Sequence, residues 1–326
     1  MKYERHPLAS MNETRRAIVD ALADGPVSGP ELADSLAVSR AAVWKHVDAL
    51  REAGFDIESG PSGYELVDAD AYSGPAVEFG LDAPFTVEFH DAVESTNAVA
   101  RERATDGASD LVVLADEQTG GRGRLDREWS SPPGGIWLSV LTRPAITPAR
   151  APLYTLAASV ATARTAREAG VDARIKWPND VVVPAGENGG YRKLAGVLTE
   201  MEGETDRVAW LAVGIGVNAN IDANALPEGA TTVRDEAADV DRRRFVQRLL
   251  EAFDDARTDL EAVVPAWREL ALTLGQRVRV DRPAGAVVGE AVDITAAGAL
   301  VIETDAGEER TTVTVSAGDC EHLRPV

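Results

Sequence analysis

The chain has 326 residues, of which 44% are hydrophobic, and it carries a formal net charge of −21. This length and apolar content exclude a disordered chain and favour a globular protein of two or three domains. Apolar runs stay well short of the ~20 residues of a membrane span, and the first ten residues lack the apolar core of a signal peptide. We therefore expect neither membrane insertion nor export.

The single cysteine, Cys320, excludes an internal disulfide and is expected to be structural. A chain of this kind fits the reducing environment of the cytoplasm, where we expect the protein to reside.

Acidic residues are spread along the whole chain, whereas lysine occurs only at positions 2, 45, 176 and 193. This balance argues against nucleic-acid binding through overall charge. Scattered acid with little lysine is typical of proteins adapted to high salt, where charges are screened over about 3 Å at 1 M. An ordinary acidic cytosolic protein is the alternative. In either case each lysine is rare enough to suggest a function.

Residues 10–68 are predicted to form a winged helix-turn-helix, in which three helices precede a β-hairpin. A first helix starts near residue 12. The segment from Ser28 to Glu31 has the spacing of a capping box and opens the second helix. Ser39 caps the third helix, which is followed by two short strands around a Gly/Pro turn.

Residues 69–84 lose all periodicity and contain proline and glycine, which predicts a linker. Residues 85–273 mix strands and helices, and several strands follow one another directly. This order predicts an α+β domain with a mixed or antiparallel sheet rather than a doubly wound fold. Residues 274–326 hold short strands between turns, which predicts a small β-barrel. The predicted strands of the middle domain are FTVEFHDAV, LVVLADEQ, GIWLSVLTR, RIKWPNDVVV, KLAGVLTEME and AWLAVGIGVN, and its helices are STNAVARERA, 149–169 and 241–260.

The stretch GGRGRLDREW, residues 120–129, alternates glycine with arginine directly after a predicted strand that ends at Gln118. Glycine lets the backbone approach a ligand closely, and arginine binds carboxylate or phosphate through two parallel hydrogen bonds. Arg122, Gly123 and Arg124 are therefore candidates for anion binding, with a solvated basic turn as the alternative. The pattern does not match the GxGxxG of dinucleotide-binding folds.

Two of the rare lysines lie next to predicted strands. In KWPND, residues 176–180, Pro178 ends the strand and leaves Asn179 and Asp180 at its exit, where a carboxylate can hold Mg²⁺ on nucleotide phosphates. An ordinary strand-to-turn exit is the alternative. In KLAGVLTE, Lys193 stands at the start of an apolar strand. Because this position is expected to be buried, its ammonium would need an anionic partner. Gly196 would let a flat ligand lie on that strand.

Two further motifs are weaker signals. In GIGVNAN the glycines permit close approach, and Asn218 could read a base or hold a turn. In STN, the residues Ser95, Thr96 and Asn97 begin a helix after a strand. Hydroxyls and free N–H groups at such a position can receive a small polar group, or can simply cap the helix.

Taken in order, these motifs resemble those of the biotin protein ligases: STN, the glutamine before the glycine-rich loop, GRGR with a downstream R-x-W, KWPND, KLAG and GxGxN. With the helix-turn-helix ahead and the β-domain behind, nearly the whole chain is similar to the bifunctional ligase/repressor type. The resemblance implies a class II synthetase-like catalytic domain and an SH3-like C-terminal barrel. Where the family usually has glycine, this chain has Asp126, which adds a negative charge to the loop.

The resemblance also implies the chemistry. Biotin and ATP would form biotinyl-5′-AMP, a flexible glycine-rich loop would close over it, and biotin would pass to a lysine of a biotin carboxyl carrier domain. The implied catalytic residues are Lys193, Arg124, Arg122 and Asp180, with Mg²⁺ held near Asp180 through ATP. The implied biotin site comprises Ser95, Thr96, Asn97, Gln118, Arg122, Gly123, Arg124, Lys193 and Gly196. The implied ATP site comprises Arg122, Arg124, Trp129, Lys176, Asn179, Asp180 and Asn218.

The resemblance further implies operator DNA as a partner, bound through Ser39, Arg40 and Lys45, and a homodimer in the ligand-bound form. Residues 10–68 contain five lysines and arginines against eleven acids, a net charge of −6 that repels DNA at long range. Residues 38–47 nevertheless contain Arg40 and Lys45 and no acid, as a recognition helix requires. The alternative is a winged helix that contacts proteins instead of DNA.

Two other functions stay open at this point. A lipoate or octanoyl ligase would share the catalytic core, but such enzymes usually lack a helix-turn-helix, and their own glycine-rich signature is not seen. A transcription regulator that senses the adenylate without transferring biotin is the second. The intact Lys193, Asp180 and GRGR argue against it.

Overall fold

The computed structural model of the protein describes residues 8–23, 25–52, 54–68, 72–186, 190–282, 285–304 and 311–323. These residues divide into two units. The first comprises the described part of Met1–Asp82 together with Asp241–Gln247, and the second comprises Ala83–Val240 and Arg248–Val326.

The first unit has the predicted three helices and hairpin. Its elements are α1 (Leu8–Ala23), α2 (Gly29–Ser35), α3 (Arg40–Glu52), β1 (Asp56–Gly60) and β2 (Gly63–Asp68). The capping box is confirmed: Ser28 Oγ accepts from Glu31 N at 3.3 Å, and Glu31 Oε2 accepts from Ser28 N at 3.0 Å. The helix-turn-helix core is formed by apolar residues of all three helices, among them Ile18, Leu32 and Val43.

The predicted linker 69–84 requires a correction. Residues 69–71 lie outside the described residues, but the rest includes a short helix, α4 (Gly74–Glu78), capped by Ser73. Ala76 and Phe79 belong to the core of the first unit. A five-residue helix is too short to show a hydrophobic period, although Ser73 and Pro75 are residues that favour a helix start.

The second unit is built on a mixed sheet, as predicted. Its strands run in the order β3-β4-β5-β9-β8-β7-β6; β3 and β4 pair in parallel, and the other neighbours pair antiparallel over their described residues. The strands are β3 (Thr86–Val93), β4 (Leu111–Gln118), β5 (Ile136–Thr142), β6 (Arg174–Lys176), β7 (Asp180–Ala185), β8 (Gly190–Gly203) and β9 (Val208–Val217). The helices of this part of the chain are α5 (Thr96–Thr105), α6 (Pro152–Glu168), α7 (Val233–Glu236), α8 (Arg242–Thr258) and α9 (Leu260–Leu270).

Two details of this part differ from the prediction. The segment RIKWPNDVVV is not one strand but the hairpin β6–β7, because its Pro178 and the following turn reverse the chain before Asp180. Helices α7 and α9 were not predicted. Helix α9 contains Pro265, and a proline in this position argues against a helix when only the sequence is known. The helix nevertheless buries Val263, Val264 and Trp267.

The C-terminal residues form an antiparallel sheet of β10 (Arg277–Asp281), β11 (Val287–Ile294), β12 (Leu300–Thr304), β13 (Thr311–Val315) and β14 (Asp319–His322). Its order is β13-β12-β11-β10-β14, and within the described residues no pairing closes β13 onto β14. Cys320 on β14 is buried, and burial raises its pKa to about 11, so the thiol stays protonated as a structural cysteine should. Within the described part of the chain, no helix is long and apolar enough to span a bilayer.

Candidate active site

A cavity of about 300 Å³ in the second unit lies between β7, β8, β9 and the loop that follows β4. It brings together motifs that are far apart in the sequence. All the residues of the implied biotin and ATP sites line it except Lys176, namely Ser95, Thr96, Asn97, Gln118, Arg122, Gly123, Arg124, Trp129, Asn179, Asp180, Lys193, Gly196 and Asn218.

A row of neighbouring residues across three strands makes room for the cavity. Asp180, Gly196 and Gly216 are direct partners in the sheet, so they share one face. The indole of Trp129 covers this row: a Cβ at Gly216 would lie 2.7 Å from its Nε1, and a Cβ at Gly196 would lie 3.6 Å from its ring. The Trp129 Nε1 is buried and has no hydrogen-bond partner among the described residues, so it can donate to a ligand.

A hydrogen-bond network surrounds the start of α5. The backbone N and Oγ1 of Thr96 donate to Gln118 Oε1 at 2.9 and 3.0 Å, and Gln118 Nε2 donates to Ser131 Oγ at 2.9 Å. Ser139 Oγ lies 2.6 Å from Asn97 Oδ1 and 2.7 Å from Thr96 Oγ1. Because most of this network is buried, it presents donors and acceptors in fixed positions.

Ser95 is the N-cap residue of α5, but its side chain makes no capping hydrogen bond and lines the cavity. The sequence left open whether the Ser95 hydroxyl simply caps the helix, and the structure shows that it does not. Ser139 was missed in the sequence because it lies on the fully buried strand β5, where no motif distinguishes it.

Part of the cavity wall is charged. Lys193 Nζ lies 2.7 Å from Asp180 Oδ1 and 4.8 Å from the centre of the Trp129 ring. The predicted need of this lysine for an anionic partner is thus confirmed. The Lys193 side chain is 34% exposed, so it combines a fixed partner with access to the cavity.

Lys176 differs from its implied place. Its side chain is only 8% exposed, its Nζ lies 3.9 Å from Asp180 Oδ2, and it lies over the ring of Tyr191. It does not line the cavity. Lys176 therefore supports Asp180 from behind, and this arrangement does not favour a direct contact between Lys176 and a nucleotide.

The glycine-rich loop is a paired turn. Trp129 N donates to Gly121 O at 2.9 Å, and Gly123 N donates to Arg127 O at 2.7 Å. A Cβ at Gly121 would lie 2.5 Å from Trp129 O, so glycine is needed here for close backbone approach. At the tip, Leu125 has a φ of 58° and is 72% exposed. The side chain of Asp126 lies outside the described residues.

Arg124 is anchored at two points. Its Nη1 donates to Asn179 Oδ1 at 3.2 Å and its Nη2 donates to Gly318 O at 2.8 Å. Burial lowers the pKa of Arg124, but a guanidinium remains charged at any physiological pH. Arg122 is more exposed and lies 3.9 Å from Glu94.

The C-terminal sheet contributes residues that sequence reasoning missed. Besides Gly318, Asp319 lines the cavity and forms an ion pair with Arg127 of the loop. Nothing in the local sequence marks the pair, because its members are about two hundred positions apart.

A second missed segment is 226–230, which follows β9 and lines the cavity. Lys193 N donates to Gly229 O at 2.8 Å, and Thr231 N donates to Lys193 O at 2.9 Å. Asn218 Nδ2 donates to Thr231 O at 3.0 Å, so this asparagine holds a turn, one of its two predicted roles.

The candidate DNA-contacting residues lie on α3 or directly before it. Ser39 Oγ accepts from Ala42 N at 3.1 Å and so caps the helix, while Arg40 and Lys45 are exposed. Between them Trp44 is 58% exposed, a feature that sequence reasoning missed because the helical period alone does not show it. The hairpin β1–β2 carries acids but no lysine or arginine.

Comparisons with known proteins show the family to which this chain belongs. Residues 90–218 match the biotin/lipoate A/B protein ligase family, residues 14–65 an HTH domain, and residues 273–323 the biotin protein ligase C-terminal domain. The bifunctional ligase/repressor BirA of Bacillus subtilis is 36% identical over 299 residues, which are 86% of this chain and 90% of that protein. The biotin--[acetyl-CoA-carboxylase] ligase of Mycobacterium tuberculosis is 36% identical over 71% of this chain and 86% of that protein.

Among solved structures, the biotin protein ligase of Aquifex aeolicus in complex with biotin and ATP is similar, with a TM-score of 0.59 and 25% identity. The match covers 73% of this chain and 99% of that one. These matches show that the chain belongs to the family of bifunctional biotin ligases/repressors and is a biotin ligase with an N-terminal helix-turn-helix.

Proposed function

We propose that the protein forms biotinyl-5′-AMP from biotin and ATP and transfers biotin to a lysine of a biotin carboxyl carrier domain. The observation that carries this proposal is a cavity that joins a buried hydrogen-bond network to Lys193 and to the arginines of the glycine-rich loop. A thermal-shift titration tests the substrate: biotin should stabilise the protein and lipoate should not. Stabilisation by lipoate alone would favour the lipoate or octanoyl ligase.

The biotin head group would bind at the start of α5. Ser95, Thr96, Asn97 and Gln118 offer hydroxyl and amide groups that match a ureido ring, which both donates and accepts hydrogen bonds. Gly196 and Gly123 would leave space for the rest of the ligand.

A substitution at Gly214 tests this assignment. A Cβ there would lie 2.6 Å from Asn97 Oδ1, so Gly214→Ala must displace the asparagine. Overpacking of this kind costs about 1–3 kcal/mol, and we expect biotin affinity measured by calorimetry to fall about tenfold or more. Gly60→Ala is the control, because a Cβ there meets open space. An unchanged biotin affinity in Gly214→Ala would remove Asn97 from the biotin site.

In the first reaction step, a carboxylate oxygen of biotin attacks the α-phosphorus of ATP, the bond to the β-phosphate oxygen breaks, and pyrophosphate leaves. Two anions must meet, and their repulsion has to be offset by fixed positive charge. Lys193 is suited to lie between the biotin carboxylate and the α-phosphate, where its ammonium would contact the substrates instead of Asp180. Arg122 and Arg124 would bind the phosphates. In the second step the acceptor lysine attacks the acyl carbon, an amide forms, and AMP leaves with loss of one amine proton.

The nucleotide would lie against Trp129, Asn179 and Asn218, which all line the cavity. Asp180 fits a Mg²⁺ site of the kind in which one carboxylate and substrate phosphates supply the ligands. Within the described residues no group of three or more His, Cys, Asp or Glu side chains could hold a metal unaided. Mg²⁺ would neutralise phosphate charge. Lys176 would orient Asp180 rather than touch ATP.

We also propose that α3 binds operator DNA, with Arg40 and Lys45 as contacts and Ser39 fixing the start of the helix. Exposure of both cations supports this. With so few cations per subunit, two recognition helices about 34 Å apart are needed to hold an operator. The binding form would be a homodimer that biotinyl-AMP favours, which couples adenylate supply to repression.

The salt dependence of DNA binding tests this part. Ordinary repressors lose affinity with a slope of about −0.9 per phosphate contact. Here the surrounding acids should repel DNA until salt screens them, so we expect a flat or rising affinity in KCl and a requirement for biotin and ATP. Fluorescence anisotropy from low to molar KCl measures both. A steep fall with salt contradicts the electrostatic account, equal binding without ligands contradicts the coupling, and no binding at any salt favours a protein-contact module.

We also propose the domain limits, the fold class, the salt adaptation and the location that the sequence predicts. The domain limits 10–68, 69–84, 85–273 and 274–326 are retained, except that residues 72–79 are structured. The catalytic domain would be class II synthetase-like and the C-terminal sheet an SH3-like barrel. Lysine-poor acidity supports adaptation to high salt, and the single buried cysteine supports a cytoplasmic location.

A further inference from the structure

The arginines of the glycine-rich loop are not held by the catalytic sheet alone. Arg124 donates to the carbonyl of Gly318, and Arg127 forms an ion pair with Asp319, at the start of β14. The loop residues and β14 are separated by more than 190 positions in the sequence, yet Arg127 and Asp319 both line the cavity. The C-terminal sheet therefore reaches the part of the site that the proposed function assigns to the phosphates.

Asp319 lies in a group of cations. Burial alone would raise the pKa of its carboxyl, but the hydrogen bond and charge of Arg127, with the charges of Lys176 and Arg124, lower it below its usual value. The carboxylate is thus charged at neutral pH and supplies the negative charge that lets these cations lie close together. Without it, Arg127 and Arg124 would repel each other across the turn.

The backbone of the loop cannot fix Arg127 by itself. Its turn is closed by the bond from Gly123 N to Arg127 O, and the Arg127 side chain is 65% exposed. A long, exposed side chain without a partner samples many rotamers, and ordering it on ligand binding costs entropy. The ion pair to Asp319 removes that cost before the ligand arrives.

From this arrangement we infer that Asp319 is a positioning residue for nucleotide binding: it holds Arg127 at the cavity, as the Gly318 carbonyl holds Arg124. The inference rests on the proposed function. Asp319 does not act on the reacting atoms, so its loss should affect the binding of ATP more than the rate of the bound complex.

Asp319→Asn removes the charge and keeps the size. We expect the KM for ATP to rise about tenfold, as for loss of one charge-assisted hydrogen bond, while kcat and the KM for biotin change little. Asp319→Glu keeps a carboxylate and should restore most of the ATP affinity. Arg127→Gln should match Asp319→Asn, and the double variant should be no worse than either single one, because both remove the same interaction.

Asp293→Asn is the matched control. Asp293 also lies on the C-terminal sheet and is paired with an arginine, Arg268, at 2.7 Å, but neither lines the cavity. It reports the effect of losing any ion pair of this sheet. Melting temperatures of both variants show whether Asp319→Asn perturbs the fold more than the control.

Nucleotide binding is measured separately from turnover, by calorimetry with α,β-methylene ATP and saturating biotin. If the wild-type protein binds neither compound, the proposed function fails and the inference fails with it. If the wild type and Asp293→Asn bind and react normally, an Asp319→Asn variant with unchanged ATP affinity overturns the inference alone. A tighter affinity in Asp319→Asn also overturns it, since Asp319 would then compete with phosphate for Arg127.

Discussion

Replacing Lys193 by alanine is expected to slow adenylate formation by about 10²- to 10³-fold, the usual loss when one preorganised charge is removed from a transition state. The reason lies in its place: the ammonium is held 2.7 Å from Asp180 and over Trp129, at the wall of the cavity where we propose that carboxylate and α-phosphate meet. The measurement is pyrophosphate release with biotin and ATP as substrates.

The fold should survive this change, because the lysine side chain is one-third exposed and packs into no apolar core. Arg207→Ala removes one positive charge at the far end of the β8–β9 hairpin and should leave the rate unchanged. A normal rate of pyrophosphate release in Lys193→Ala would remove this lysine from the mechanism.

The second large effect is expected for Arg124→Gly. This change removes both hydrogen bonds of the arginine, to Asn179 and to Gly318, and with them the contact that we propose with the phosphate. Biotinyl-AMP should then leave before the acceptor arrives. Loss of charge-assisted hydrogen bonds worth about 1.5–3 kcal/mol each predicts that labelling of bystander lysines rises about tenfold or more.

Biotin blotting with a bystander protein such as albumin measures this leakage, and the exposed Arg150→Gly is the control. If Arg124→Gly stops adenylate synthesis and no leakage is found, the arginine acts in the chemical step and not in retention.

Much of this site could be predicted because its residues carry local signals. The glycine-rich loop, KWPND and KLAG each combine a rare or charged residue with a strand end, and the capping box at Ser28 specifies a helix start within four residues. These patterns reflect the backbone conformation that a few residues must adopt and the charges that lie next to apolar strands. Both can be recognised in a short window of sequence.

The remaining features depend on contacts between distant parts of the chain. No local sequence pattern indicates that Asp319 forms an ion pair with Arg127, or that Ser139 hydrogen-bonds to Asn97. The surroundings of Lys176 are of the same kind: its motif suggests ligand contact but does not show that the side chain is buried beside Asp180 and over the Tyr191 ring. Helix α9 was not predicted because it contains a proline, although its apolar residues are buried.

Biotin transfer by the protein is tested most directly by mixing it with ATP, biotin and a biotin carboxyl carrier domain and detecting biotin on the carrier. The account predicts labelling of one lysine that requires both ATP and biotin and that disappears when this lysine is replaced by arginine. Formation of biotinyl-AMP without labelling would contradict it and favour a regulator that only senses the adenylate, and transfer of lipoate in place of biotin would favour the related ligase.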